Sequence, residues 1–364
     1  MEVSARLDRL RHVLSGLDHR PDAFLVTSLT NIRYLTGFTG SAGMLFLLSD
    51  DVVLLTDGRY GTQATEQLAA ARVDVRVDVA RTADQAAQAQ QIVGAGAVAC
   101  LGLEAAHISW ARQQAFAASW FPDIELLSTL GVVEGLRQVK DAGELARLAE
   151  AAQIADLALN HMRPQLGSGL TEEAFGRALD FEMRRLGASG PSFETIVASG
   201  PNAAKPHHRP GPRVIGAGEP VVVDFGARFE GYCSDMTRTV WVGHVADPEL
   251  RRAVEVVLAS QAAGVAAVGP GVACAEVDHV CREVIAGAGW GDYFVHGTGH
   301  GVGLDIHEAP SVAATSVDTL EVGHVVTVEP GVYLPGLGGA RIEDTVVVTE
   351  EGCRPLTHTV KDAL

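Results

Sequence analysis

The sequence predicts an α/β domain followed by an α+β domain built largely of antiparallel strands. Three observations lead there. Over residues 1–130, short apolar runs alternate with Ala/Gln-rich stretches of helical character, the pattern of interleaved strands and helices. Around 131–140 that pattern breaks, and a long helical run begins at Asp141. Beyond it the chain is rich in strand-like runs separated by turn residues, with hairpins expected near 220–242 and 324–349. The domains are accordingly placed at 1–133 and 134–364, and a chain of 364 residues has ample core for both.

In the first domain, strands are expected at AFLVTS (23–28), GMLFLLS (43–49), DVVLLTD (51–57), VDVRVDV (73–79) and VACLGLE (98–104). Helices are expected at 61–71, 82–93 and 109–119, and Asp50-Asp51 reads as a hairpin turn. In the second domain the run DAGELARLAEAAQIADLALNHM places apolar residues at 145, 148, 152, 155 and 159, one face of a helix. A second helix is expected over 171–187. A third starts where Asp247 caps and Pro248 takes the first helical position, and it stops before Gly269-Pro270-Gly271.

Composition excludes several classes. The formal net charge of −17 argues against a nucleic-acid partner, which needs clustered Lys and Arg. The longest apolar runs are strand-sized, too short to span a bilayer, and the N-terminus MEVSARLDRLRHVLSGLDHR lacks the apolar stretch of a signal peptide. The five cysteines form no C-x-x-C, so neither a disulfide framework nor a zinc ribbon is expected, and a reducing cytoplasm fits.

The chemistry lies in acids placed inside apolar strands. The stretch VVVDFGARFEGYCSDMTRTV (221–240) carries Asp224 and Asp235. A carboxylate there costs several kcal/mol unless it is paired or binds a cation. If the hairpin tip is Phe229-Glu230, the two acids face one another; a tip at Glu230-Gly231 makes them diagonal neighbours. The stretch HVVTVEPGVYLPGLGGARIEDTVVV (324–348) repeats the device, with Glu329 ending one strand and Glu343 in the next. Two such hairpins suggest an internal duplication of about a hundred residues with the four acids converging. Four carboxylates call for more than one divalent cation. Oxygen-rich sites suit manganese, magnesium or calcium, and an imidazole shifts the choice toward transition metals.

Imidazoles come from HGTGHGVGLDIHEAP (296–310), which holds His296, His300 and His307. Its alternating glycines forbid a regular helix and let the backbone approach a metal or ligand closely. ASGPNAAKPHHRPGP (198–212) adds His207 and His208 in a Pro/Gly loop. No nucleotide-binding glycine motif and no G-x-S-x-G is present. Cys233 reads as a small buried residue.

In this order, Asp224, Asp235, His300, Glu329 and Glu343 resemble the five-ligand dinuclear site of the pita-bread metallopeptidases, which include methionine aminopeptidase, aminopeptidase P and prolidase. The motifs VVVDFGARFEGYCSDMTRT, HGTGHGVGLDIHE, VVTVEPGVY and ARIEDTVVV carry the resemblance. NIRYLTGFTGSAG (31–43) resembles the N-terminal domain of the Xaa-Pro peptidases, so the likeness covers essentially the whole chain and disfavours methionine aminopeptidase. It implies a creatinase-like α/β N-terminal domain, a pita-bread α+β catalytic domain, and two divalent ions, Mn2+ before Co2+ or Zn2+. Asp235, His300 and Glu343 would hold one metal and Asp224 and Asp235 the other, with Glu329 and Glu343 completing the two spheres. Glu329 would double as general base for a metal-bridging hydroxide. His296 would hydrogen-bond near the water or substrate, His207 and His307 would bind substrate, and Arg341 would stand beside the last ligand.

The implied activity is hydrolysis of an N-terminal Xaa-Pro bond in a di- or oligopeptide, with a lean to the Xaa-Pro dipeptidase (prolidase). Aminopeptidase P and a catalytically dead binding module are the alternatives. A dipeptidase needs a clamp for the free proline carboxylate, for which Arg33 and Arg59 are candidates. A homodimer through the N-terminal domain is expected by analogy.

Overall fold

The apolar runs of the N-terminal unit assemble into one six-stranded mixed sheet. Its spatial order is Arg76–Val79, Val52–Thr56, Met44–Leu47, Ala23–Val26, Cys100–Glu104, Glu125–Thr129. The computed structural model describes residues 3–362 and divides them between two compact units, Met1–Arg137 and Gln138–Leu364. Strands Ala23–Val26, Met44–Leu47 and Val52–Thr56 are buried at every position, which is why they read as unbroken apolar runs rather than alternating ones. Asp50-Asp51 does turn the chain between two antiparallel strands, with Leu48 N–H donating to Asp51 O at 2.9 Å.

Several elements were not expected, helices Arg6–Ser15 and Cys274–Gly287 among them. Ser28 caps a helix Leu29–Thr36 that closes on Gly37 at φ 78°. An edge strand, Glu125–Thr129, pairs parallel to Cys100–Glu104; its half-exposed side chains blur the apolar signal. Where the pattern breaks around 131–140, a short helix Val132–Gln138 forms, and the expected junction at 133/134 falls inside it.

In the second unit, Asp141 accepts from Glu144 N–H while the Glu144 carboxylate accepts from Asp141 N–H. This capping box starts helix Ala142–Met162. With helix Glu172–Arg185 it covers the sheet of Ile196–Ser199, Glu219–Phe225 and Met236–Val242. Leu159, Phe175, Leu179, Met183, Val223 and Phe225 fill the space between. The arrangement then recurs. Asp247 caps Pro248–Ala267, Cys274–Gly287 follows, and both pack on a five-stranded sheet through Val257, Val277, Ile285, Val326 and Val346. Two helices followed by antiparallel strands thus occur twice. All five cysteines are free thiols, with Cys233 fully buried, and no helix among the described residues is long and apolar enough to cross a membrane.

The hairpin registers place the acids. Asp224 lies opposite Thr237, and beyond the break at Gly226 the same register continues with Phe229 opposite Tyr232. The tip is therefore Glu230-Gly231. Both residues have positive φ, 44° and 87°, the requirement of a tight two-residue turn that matches strand twist. Asp224 and Asp235 are diagonal neighbours, not directly opposed. In the second hairpin Val328 faces Asp344 and Gly331 faces Arg341. One register spans both ladders, so Glu329 stands opposite Glu343 in the gap between them. Glu343 thus precedes the strand Asp344–Thr349 rather than lying in it, as expected from sequence.

The alternating glycines serve packing, and Gly297 and Gly299 also line the cleft described below. A Cβ on Gly299 would sit 2.0 Å from Thr327 O, and one on Gly301 would sit 2.3 Å from Ala309 O. They let the His300 strand lie against its neighbours' backbone. Gly299→Ala is expected to destabilise the fold by about 1–3 kcal/mol through this clash, read as a lower denaturant midpoint at unchanged slope; an unshifted midpoint would mean the strand yields freely.

Candidate active site

The loop and strand ends converge on one cleft of about 520 Å3, lined by His207, Asp224, Asp235, His296, His300, His307, Glu329 and Arg341 among others. At its floor, Asp224, Asp235 and Glu343 each offer an oxygen, and these oxygens lie within 4.8 Å of one another. The three residues are 9%, 5% and 1% exposed. His300 Nε2 completes the group, 3.5 Å from Asp235 Oδ2 and 3.4 Å from Glu329 Oε1. The five groups expected to converge are therefore all within one floor. His208 is apart from them in role: its Nε2 meets the buried Glu172 carboxylate at 2.8 Å.

The hydrogen bonds decide what this floor lacks. His300 Nδ1 lies 3.0 Å from Gly301 O, an acceptor only, so Nδ1 carries the proton. Its Nε2 then turns a lone pair toward two carboxylate oxygens. Asp224 Oδ1 and Glu343 Oε1 are buried with no hydrogen-bond partner. Lone pairs facing anions and buried oxygens without donors are both unfavourable, and a cation among them relieves both. The donor set, carboxylates with one imidazole, fits a divalent ion of the manganese-to-zinc range.

Without a cation, burial and mutual repulsion act on the protons instead. Burial, and then the neighbouring carboxylates, hold Asp235 and Glu343 well above the ordinary carboxyl range. Burial pushes Glu329 up to about 8, with Asp224 adding to it, and pushes His300 down to about 4.

A supporting network fixes these side chains. Thr237 Oγ1 donates to Glu343 Oε2 at 2.8 Å, and Thr327 Oγ1 to Glu329 Oε1 at 3.3 Å. Arg341 donates to Asp224 Oδ2 at 2.6 Å and to the Tyr333 hydroxyl at 2.7 Å. His296 Nδ1 faces Gly297 O at 2.8 Å, so its Nε2 accepts from the Tyr333 hydroxyl at 2.7 Å. Burial holds His296 neutral, down to about 4, and pushes Tyr333 up to about 12. The sequence reading missed Tyr333, Thr237 and Thr327, although VVTVEPGVY and DMTRT contain all three; nothing in a hydroxyl's position along a strand reveals which carboxylate it meets. Behind the cleft, buried Asp278 accepts from Thr298 N–H and Oγ1, each at 3.0 Å, and Thr298 O accepts from Glu329 N–H at 2.7 Å. The His207 ring lines the cleft wall, and the His307 ring stands 4.3 Å from that of His300, centroid to centroid.

Comparison with known proteins gives the family. Residues 146–350 match the model of metallopeptidase family M24, and residues 6–139 that of the creatinase/prolidase N-terminal domain. The uncharacterized peptidase YqhT of Bacillus subtilis is 41% identical over 99% of both chains. A solved structure of an Xaa-Pro dipeptidase from Bacillus anthracis superposes at TM-score 0.94 with 38% identity, covering 100% of this chain and 99% of that one. An X-Pro aminopeptidase from Thermotoga maritima gives 0.89 with 32% identity over 98% and 99%. The chain belongs to metallopeptidase family M24, with a creatinase-type N-terminal unit and a pita-bread catalytic unit. It is a metal-dependent peptidase by that membership.

The raised carboxyls predict a pH effect in the metal-free protein. Above about pH 7.5, a unit beyond the ordinary histidine value of 6.5, His296 and His300 are essentially neutral whether folded or unfolded. Glu329 is already ionised when unfolded, but when folded it keeps its proton up to about pH 8. Stability of the chelated protein should therefore fall as pH rises from about 7.5 through the Glu329 value of about 8 and above it, and added manganese should remove the slope. Equal denaturant midpoints at both ends of the window would contradict the repulsion described here.

Proposed function

We propose that this chain is a dinuclear Xaa-Pro peptidase, with a lean to the dipeptidase (prolidase). The observation that carries the metal-centre reading is the His300 lone pair aimed at Asp235 and Glu329, beside two buried oxygens without donors. Proline specificity is supported by the end-to-end likeness to solved Xaa-Pro dipeptidase and X-Pro aminopeptidase structures. Asp224, Asp235, His300, Glu329 and Glu343 hold two divalent ions, manganese by preference, with cobalt or zinc able to replace it. Bound there, the ions would polarise the scissile carbonyl and bring water's ionisation near neutral pH.

The chain's own groups do the rest. An Xaa-Pro bond has no N–H, and the proline nitrogen must gain a proton to leave. Glu329 takes the proton from the attacking water and returns it to that nitrogen. His207 and His307 stand on the cleft wall to orient the scissile carbonyl and the leaving group. Burial keeps His296 neutral, and Gly297 O and the Tyr333 hydroxyl fix its tautomer, so it adds no charge beside Arg341. Arg341 holds Asp224 in place. The reading includes a cytoplasmic homodimer.

Aminopeptidase P is the second reading, favoured by the Thermotoga maritima likeness. The separating assay offers metal-restored protein Ala-Pro, Ala-Pro-Ala and Met-Ala-Ala. Cleavage of Ala-Pro alone marks a dipeptidase, and cleavage of Ala-Pro-Ala marks the aminopeptidase. No metal-dependent cleavage of any of them would leave a binding module and defeat the peptidase reading.

Asp235→Ala and Glu343→Ala are expected to lose bound metal and to lower kcat/KM by roughly a thousandfold or more, a barrier of several kcal/mol. His307→Ala is expected to keep both metals by elemental analysis yet lose about 10²–10⁴ in kcat. Metal loss in His307→Ala would make it a ligand instead.

A further inference from the structure

We propose that Arg209 is the group that recognises the substrate's free C-terminal carboxylate, making this cleft selective for dipeptides. The inference rests on the Xaa-Pro peptidase reading above and names the specificity residue within it. Of the residues lining the cleft, only Arg209 and Arg341 carry a guanidinium. Arg341 is fully engaged, by Asp224, Tyr333, Thr237 Oγ1 and Pro206 O. Arg209 is not: its one ion pair is to Glu194, at 3.5 Å, with the two side chains 84% and 71% exposed. A long, solvated pair of this kind contributes little and is easily exchanged. A substrate carboxylate can replace that of Glu194 and gain the planar two-point contact that arginine offers.

The backbone that presents Arg209 is unusually well fixed for a rim loop. The fully buried Glu172 carboxylate accepts from His208 Nε2 at 2.8 Å and Gly211 N–H at 3.4 Å, on either side of Arg209. The same carboxylate accepts from Ser199 N–H and Ser199 Oγ, each at 2.8 Å, and from Asn202 Nδ2 at 3.1 Å. Pro206 and Pro210 restrict φ at both ends of the segment. His208 is thus tied down through Glu172, and it lines the cleft together with its neighbours His207 and Arg209. Phe193 and Ile196 line the same wall on either side of Glu194 in sequence. An apolar wall beside an exchangeable guanidinium suits a terminal proline, which is a hydrocarbon ring bearing a carboxylate. Of the clamps expected from sequence, Arg59 pairs with its own neighbour Asp57 at 2.8 Å.

The test compares Ala-Pro with Ala-Pro-amide, which differ at the terminal charge, on metal-loaded protein. Arg209→Gln should raise KM for Ala-Pro roughly tenfold or more, the loss of a charge-assisted contact, with kcat little changed. Its KM for Ala-Pro-amide should not move, and unchanged bound metal by elemental analysis is the control for folding. Arg209→Lys should fall between wild type and Arg209→Gln on Ala-Pro. Glu194→Gln, which removes the competing carboxylate, should lower KM for Ala-Pro and leave the amide alone. Equal effects of Arg209→Gln on both peptides, or none on either, would overturn the clamp while leaving the peptidase reading standing. Wild-type protein that cleaves neither peptide with metal present would overturn both.

Discussion

Buried like charges are the constraint on which the catalytic unit turns. Asp224, Asp235, Glu329 and Glu343 stand close together around one imidazole, and a fold that did nothing but gather them would be unstable. The chain meets the problem in three ways. Hydroxyls and the Arg341 guanidinium take up one oxygen of Asp224, Glu329 and Glu343. The protons stay on where water would have removed them. The remaining oxygens are left for a cation. Metal binding and folding of this floor are consequently one equilibrium, since whatever neutralises the carboxylates also stabilises the ladders that carry them.

The same constraint explains where the acids lie. Asp235, Glu329 and Glu343 occupy breaks in the strand ladders, between Cys233 and Met236, after Val328, and between Arg341 and Asp344. A regular strand sends alternate side chains to opposite faces. At a break the chain can turn a carboxylate toward the cleft without also aiming its neighbours there. Asp224 alone stays in a regular strand, and it is the one acid with an arginine against it. Tautomers are fixed by the same economy of means: backbone carbonyls one residue ahead, Gly301 O and Gly297 O, hold the Nδ1 protons of His300 and His296.

Much of this was legible in the sequence because it follows from short-range rules. Asp141, Asp247-Pro248 and Glu230-Gly231 sit where capping and turn chemistry require them, and carboxylates amid VVVDF and VVTVEP are conspicuous for their cost. What could not be read depended on distant partners. The choice between opposed and diagonal acids turned on one residue of register. Glu172 looks like any helix-starting acid in LTEEAF, yet it is fully buried beneath the His208 loop. Tyr333 looks like a strand aromatic, yet it links Arg341 to His296. Edge strand Glu125–Thr129 and helix Leu29–Thr36 were missed because tertiary packing, more than local pattern, holds short elements.

The division between floor and rim bears on how such a site acquires its substrate. The floor residues are locked to one another: moving Arg341 disturbs Asp224 and Tyr333 together, and moving Tyr333 disturbs His296. Couplings of that kind leave little freedom to adjust selectivity without losing the metal centre. The rim is built otherwise. Arg209 and Glu194 touch each other and solvent, while the loop beneath them is anchored separately through Glu172. A change at the rim can therefore alter which peptide end is tolerated while the floor keeps its geometry. Substrate length is the property that this arrangement leaves free to vary.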